Sequence, residues 1–157
     1  MKATMQTWWR FWRLSAGERR IVVEACAALT ASYIGLRMAG FQRWKTTVER
    51  LTPIEAGIAR AATSVEFAPA IARMNAAAAR HLFFRASCLE QSLALWCLLR
   101  RRNVPADLRI GARKQEQDFE AHAWIELDGV ALNDPEDTHV HFSPFEGPAT
   151  PMEAQTR

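Results

Sequence analysis

Residues 87–102 have the sequence Ser-Cys-Leu-Glu-Gln-Ser-Leu-Ala-Leu-Trp-Cys-Leu-Leu-Arg-Arg-Arg, the strongest helix signal in the chain. Ser87 and Glu90 have the spacing of a capping box, which predicts that a helix begins at Cys88. Apolar residues occupy two faces of this segment, so we expect the helix to be largely buried. The basic run at residues 100–102 offsets the helix dipole, and we interpret it as a charge cap rather than a binding patch.

Cys88 is the one cysteine of the three whose predicted position favours reactivity. Backbone N–H groups at a helix N terminus have no intrahelical partner, and together with the helix dipole they stabilise a thiolate. The same groups can donate to the oxyanion that forms when a thiolate attacks an acyl carbon. Cys26 and Cys97 fall within apolar helical patterns, where a thiol usually acts as a small hydrophobic group. Three cysteines imply no disulfide framework, which favours a reducing compartment.

C-terminal to this helix, the apolar residues recur with a period of two, which predicts β-strands. Residues 106–113 form the first predicted strand and residues 119–127 the second. The dipeptide Asp128-Gly129 predicts a tight hairpin into a third strand at residues 130–133. These elements indicate a small antiparallel sheet.

His122 lies on the second predicted strand, on the face opposite the apolar row that includes Ala123 and Ile125. Of the four histidines, it is the best candidate for the base that a catalytic thiolate needs. Asp134, after the hairpin, can accept a hydrogen bond from the second ring nitrogen and fix its tautomer. A strict two-residue hairpin, however, pairs Asp134 with Ala123 and puts it on the face opposite His122. The pair therefore requires a bulge, a longer turn, or a ladder that stops before Asp134.

Two further histidines make a metal site an alternative interpretation. His139 and His141 would share one face of a short strand predicted near residues 139–142. The three candidate catalytic residues, however, lack the close ligand pairs of a typical zinc site. We therefore expect neither a metal nor a cofactor.

The N-terminal half of the chain is predicted to be helical. Ser15 and Glu18 form a second capping-box pair, which predicts a helix over residues 16–38 that ends near the glycine at position 40. Thr52, followed by proline, predicts the cap of a second helix. Residues 70–84 form a third predicted helix, after a proline that breaks the pattern.

Charge is distributed unevenly, although the net charge is only +3. Residues 1–60 carry a net charge of +6 and four of the six tryptophans, whereas residues 61–157 carry −3. A basic front end with Trp8, Trp9 and Trp12 suits an acidic partner protein or a peripheral contact with a membrane surface. No recognition motif accompanies the charge, so nucleic acid is not an expected partner.

The chain is expected to be a cytoplasmic protein. Its 157 residues, with 49% hydrophobic and 24% charged, are ordinary for one soluble globular domain. Arginines at positions 10, 13, 19 and 20 interrupt the N terminus, which therefore does not match a signal peptide. The longest uncharged run, residues 25–36, is shorter than the ~20 residues that a membrane span needs.

Five segments of the chain carry a resemblance to a known family. They are Ser-Cys-Leu-Glu-Gln-Ser-Leu-Ala-Leu (87–95), Leu-Leu-Arg-Arg-Arg-Asn-Val-Pro-Ala (98–106), Leu-Arg-Ile-Gly (108–111), Ala-His-Ala-Trp-Ile-Glu (121–126) and Leu-Asn-Asp (132–134). Together they resemble the lasso-peptide maturation peptidases, which belong to the transglutaminase-like cysteine peptidases. The resemblance is strong over residues 85–146 and looser over residues 10–50. A glycine often follows the basic run in these relatives, and Asn103, which also tolerates a left-handed conformation, stands there instead.

This resemblance implies Cys88 as nucleophile, His122 as base and Asp134 as the residue that orients the base. It also implies removal of the leader peptide from a ribosomally made precursor, so that a separate ATP-dependent cyclase can close the lasso ring. Chains of this length resemble the stand-alone peptidase form, which implies a separate leader-recognition protein as a partner. Two alternatives stay open: a transglutaminase-like acyl-transferase, and a non-catalytic adaptor of a peptide-maturation complex.

We therefore predict an α+β fold in three parts. Residues 1–84 form a helical N-terminal region for packing and partner docking, and residues 147–157 form a flexible tail. Residues 85–146 form a transglutaminase-like or papain-like core, in which the helix that begins at Cys88 packs on a small antiparallel sheet carrying His122 and Asp134.

Overall fold

The computed structural model describes residues 14–54, 66–115, 118–134 and 138–144, and these form the predicted α+β fold. The predicted N-terminal docking arm with Trp8, Trp9 and Trp12, most of the helix predicted after Thr52, and the predicted tail lie outside the described residues. The elements are α1 (Ala16–Leu51), α2 (Ala68–His81), α3 (Cys88–Arg100), β1 (Asp107–Gln115), β2 (Asp118–Leu127), β3 (Val130–Ala131), a 3-10 turn (Thr138–His141) and β4 (Ser143–Pro144).

α1 begins at the predicted capping box but continues well beyond its predicted end. Gly40 breaks the helix with a φ of 76°, a conformation that glycine adopts without steric cost, and the helix then resumes. The ring of Trp44 packs on Gly35 across this break, and its Nε1 lies 3.5 Å from the Ser32 hydroxyl. The position near residue 40 is therefore a break within a helix rather than its end.

Thr52 closes α1, so its predicted role as the cap of a following helix was wrong. Both its backbone N–H and its hydroxyl donate to the carbonyl of Val48, at 3.0 and 2.7 Å. A threonine hydroxyl can bond back to the preceding turn as readily as forward to the next one. Pro53, which was expected to open the next helix, lies in a segment without regular structure.

Two long strands, β1 and β2, pair antiparallel along their full length, from Asp107 with Glu126 to Gln115 with Asp118. The strand order is β3-β2-β1-β4, so the chain must cross from one edge of the sheet to the other after β3. Residues 138–141 form a 3-10 turn, and the short strand predicted near residues 139–142 follows it as β4, at residues 143–144. The third strand is also shorter than predicted and pairs only through Val130 and Ala131.

α3 is the central element of the core. Its apolar residues are buried as predicted, and they form one hydrophobic cluster with α1, α2 and the two long strands. The indole N–H of Trp96 donates to the carbonyl of Ala106 at 2.8 Å, which ties the helix to the entrance of β1. Asn103 follows the helix in a left-handed conformation, with a φ of 56°, as its residue type allows.

The most apolar 18-residue window of α1 has the length and hydropathy of a membrane span, although core helices of soluble proteins meet the same criteria. In this structure α1 makes polar contacts at two levels, one with α3 and one with Arg102, two residues after α3 ends. Arg37 pairs with Glu90 at 2.7 Å, and Glu24 pairs with Arg102 at 2.6 Å. These contacts attach α1 to the rest of the described chain.

Gly35→Ala is expected to lower the free energy of unfolding by about 1–3 kcal/mol, because the added Cβ would overlap the Trp44 ring. Gly17→Ala in the same helix is the control, since only the Ser15 hydroxyl, at 4.0 Å, lies near its Cβ. The control should be neutral or stabilising by up to about 1 kcal/mol. Urea denaturation followed by circular dichroism measures both. Equal stability of the two variants would contradict the packing of Trp44 across the break.

Candidate active site

The first turn of α3 has the predicted capping box. The Ser87 hydroxyl accepts from the Glu90 N–H at 3.3 Å, and the Glu90 carboxylate accepts from the Ser87 N–H at 2.6 Å. Cys88 is therefore the first residue of the helix, and it is partly buried. The backbone N–H groups of Cys88 and Leu89 lie where no helical carbonyl can reach them.

Glu90 is a buried carboxylate, 4% exposed, that connects this turn to α1. Burial raises its pKa, but hydrogen bonds from Arg37 and Ser87 outweigh burial and hold the pKa below its usual value. Arg37 is itself placed by the Tyr33 ring, 3.5 Å below its guanidinium carbon. The charged pair thus fixes the turn that carries Cys88 against α1.

His122 and Asp134 lie close together. The distance from His122 Nε2 to Asp134 Oδ2 is 3.7 Å, which suits a charge pair but is too long for a hydrogen bond. Both side chains are shielded from solvent, with 20% of His122 and 4% of Asp134 exposed. The rings of Phe142 and Trp124 flank the imidazole, with centroids at 5.3 and 6.0 Å.

His122 and Asp134 can lie close together because the hydrogen-bond ladder of the hairpin ends early. An early end is one of the three possibilities named above, beside a bulge and a longer turn. Its turn is the predicted Asp128-Gly129, and both residues have positive φ, 52° and 80°. Leu132 still donates its N–H to the carbonyl of Ile125 at 2.8 Å. The N–H of Ile125, however, donates to the side-chain oxygen of Asn133 at 2.7 Å. Asp134 therefore leaves the ladder and can turn toward His122.

Ser92 connects α3 directly to β2. Its hydroxyl donates to the carbonyl of Ala123 at 2.9 Å and accepts from the side-chain amide of Asn133 at 2.9 Å. Neither Ser92 nor Asn133 was predicted from the sequence to belong to the site. The available signals were a hydroxyl within the otherwise apolar stretch of a buried helix, four residues after Cys88, and an amide next to Asp134.

Cys88 lies one helical turn before Ser92, about 6 Å along the helix axis and on nearly the same face. The face of α3 that includes Cys88 is thus the one from which Ser92 bonds to β2, at the carbonyl of Ala123, the residue after His122. Among the described residues, no hydrogen bond links the thiol to the imidazole. The structure brings His122 and Asp134 together and places Cys88 one turn from the contact between helix and strand.

The remaining cysteines and histidines are placed differently. Burial raises the pKa of the Cys26 and Cys97 thiols, which favours the protonated form over the thiolate. His141 belongs to the 3-10 turn, so the two histidines of the metal alternative do not share the face of a strand. Within the described part of the chain, no three His, Cys, Asp or Glu residues are grouped as a metal site would require.

Comparison with known proteins gives two matches. A family model described as the transglutaminase-like superfamily matches residues 26–146. The Microcin J25-processing protein McjB from Escherichia coli is 43% identical over 51 residues, which are 32% of this chain and 24% of McjB. The chain therefore matches about a quarter of the length of that relative. No solved structure matches.

Arg37→Met is expected to lower the free energy of unfolding at pH 7 by about 1–3 kcal/mol, toward the lower end because Arg37 is half-exposed. The folded pKa of Glu90 lies below its unfolded value. In the wild type, the Arg37–Glu90 pair therefore stabilises the fold fully above the unfolded pKa of Glu90. This stabilisation is lost as the pH falls through the folded pKa. The difference between the two proteins should therefore shrink as the pH falls from the unfolded value of 4.5 through the lower folded value.

Urea titrations at several pH values measure this difference. Arg20→Met, which removes an exposed partner of Glu24, is the control and should change stability by less than about 0.5 kcal/mol. If the Arg37→Met difference stayed constant down to the lowest pH, the pair with Glu90 would not be the source of the stabilisation.

Proposed function

This chain belongs to the transglutaminase-like superfamily, and we propose that it is a cysteine peptidase that removes the leader peptide from a lasso-peptide precursor. The observation that most supports this proposal is the 3.7 Å distance between His122 and Asp134. His122 lies on β2, the strand to which the helix of Cys88 is hydrogen-bonded. Similarity to a microcin-processing protein supports the substrate class.

In the proposed mechanism, Cys88 is the nucleophile and His122 its base. His122 Nε2 is buried and faces Asp134, so Nδ1 is the nitrogen that takes the thiol proton. The thiolate attacks the scissile carbonyl carbon, and the carbonyl electrons move to the oxygen. The free N–H groups at the start of α3 donate to this oxyanion.

Collapse of the tetrahedral intermediate then breaks the carbon–nitrogen bond, and His122 gives its proton to the leaving amine. The leader stays on Cys88 as a thioester. Water attacks this thioester, and His122 takes the proton of the water. The carbon–sulfur bond then breaks, the leader leaves as a carboxylic acid, and His122 returns the proton to the sulfur to restore the thiol. Asp134 stabilises the imidazolium that forms in each half of the cycle.

The proposal includes partners, because a peptidase of this kind acts within a pathway. The resemblance implies a separate leader-recognition protein that delivers the precursor and an ATP-dependent cyclase that uses the product. We place these encounters in the cytoplasm. Residues near the basic N terminus are the proposed docking segment, either for these proteins or for a membrane surface.

Membership of the transglutaminase-like superfamily supports one alternative to the peptidase. It is an acyl-transferase, in which an amine rather than water attacks the thioester. Both reactions use the same nucleophile and base, and they differ only in the acceptor. The mass of the product distinguishes a free carboxylic acid from an amide. A non-catalytic adaptor is the third outcome that the experiment below can give.

Cys88→Ala is expected to reduce precursor cleavage by roughly 10⁴-fold or more, because it removes the nucleophile. Asp134→Asn should reduce it by about 10²–10⁴-fold, since the imidazole loses the group that orients it. Cleavage of the precursor, in the presence of the recognition protein, is followed by mass spectrometry. Cys97→Ala is the matched control and should keep the rate within about threefold.

Wild-type cleavage by Cys88→Ala would reject the peptidase and favour the adaptor. Equal losses in Cys88→Ala and Cys97→Ala would trace the effect to stability rather than chemistry.

A further inference from the structure

We infer that Ser92 and Asn133 are positioning residues for the candidate catalytic site. Their hydrogen-bond network sets how Cys88, His122 and Asp134 are oriented relative to one another. This inference rests on the proposed function. It names two residues that neither the residue pattern nor the comparisons assign to the site. They hold the helix of Cys88 and the strand of His122 in one register.

The network exists because β3 ends early. In an antiparallel strand, every second residue directs its backbone groups to the same side, so those of Ala123 and Ile125 both point toward β3. β3 stops at Ala131 and leaves the Ala123 carbonyl and the Ile125 N–H without a strand partner. Buried backbone groups need a hydrogen bond. Ser92 and Asn133 supply one each.

The direction of each bond in the network is fixed. The Ile125 N–H can only donate, so the side-chain oxygen of Asn133 must face it and the amide nitrogen must face Ser92. The Ser92 oxygen accepts from that nitrogen, and its own proton is then directed to the Ala123 carbonyl. Loss of either side chain therefore disturbs the orientation of the other.

Each member of the network is close in sequence to one candidate catalytic residue. Ser92 lies one turn after Cys88, Ala123 follows His122, and Asn133 precedes Asp134. The network thus fixes three separate chain segments at one point. Displacement of any one of them by about 1 Å would misalign nucleophile, base and orienting group.

Apolar packing alone does not give this register. The leucines of α3 bury the helix against the sheet, but the hydrophobic effect is not directional. Hydrogen bonds have preferred lengths and angles. Ser92 is fully buried in this apolar helix. A buried hydroxyl without a hydrogen-bond partner would be less favourable there than an apolar side chain.

The test compares Ser92→Ala, Asn133→Ala and the double variant with the wild type. Each single change should lower kcat for precursor cleavage by about 10–100-fold and leave KM within about threefold, because alignment is lost while the substrate surface is kept. Because the two side chains act as a unit, the double variant should lose no more than about threefold beyond the worse single variant. The pH dependence of Cys88 alkylation by iodoacetamide should shift in all three.

Thr52→Ala is the matched control. It removes another buried hydroxyl that bonds to α3, through Arg100 at 3.1 Å, at the opposite end of the helix. Thermal unfolding should show a loss of stability similar to that of Ser92→Ala, while kcat and the alkylation profile stay at wild-type values. An equal loss of kcat in Thr52→Ala would overturn the positioning role.

The two proposals fail in different ways. If Cys88→Ala is inactive but Ser92→Ala and Asn133→Ala keep wild-type kcat, the peptidase stands and the positioning role is rejected. If Cys88→Ala remains active, the peptidase proposal fails, and the alkylation profile of Cys88 still tests the network without any substrate. An unchanged profile in the Ser92 and Asn133 variants would then reject the network as well.

Discussion

The structure depends on how the backbone groups at the open edge of β2 obtain hydrogen-bond partners. β3 is only two residues long, so the strand that carries His122 has backbone groups with no neighbouring strand. Leaving such a buried group unpaired costs about 1–3 kcal/mol. The Ser92 hydroxyl and the Asn133 amide remove this cost, and in doing so they join α3 to β2. The early end of one strand therefore determines where the Cys88 helix sits and lets Asp134 turn to the imidazole.

Features that depend on near neighbours could be predicted from the sequence. Both capping boxes have their partners three residues apart, and the Asp128-Gly129 turn depends on two adjacent residues. The alternation of apolar residues gave the two long strands, since one side of that sheet faces α3. His122 and Asp134 could be chosen as a pair from chemistry alone. Their proximity could not, because it requires a third strand that stops at Ala131, two residues earlier than the pattern suggests.

Features that depend on distant partners could not be predicted. Gly40 has the local signature of a helix end, but the packing of Trp44 on Gly35 lets the helix resume. Thr52 resembles an N-cap, yet its hydroxyl bonds backward. Ser92 finds its partners 31 and 41 residues away, and a lone serine in an apolar helix does not reveal them. β4 pairs with β1 through Gly111 and Ala112, more than 30 residues earlier in the chain, and the residues near β4 do not reveal that partner.

The N terminus of α3 is held from two sides. Successive residues of an α-helix are turned by about 100°, so Glu90 and Ser92 lie about 200° apart and face opposite directions. Glu90 binds Arg37 of α1, and Ser92 binds β2, on nearly the same face as Cys88. Contacts from the helical region and from the sheet thus both hold the turn that carries the candidate nucleophile. A partner that bound α1 and displaced Arg37 would act on the turn of Cys88 directly, without touching the sheet.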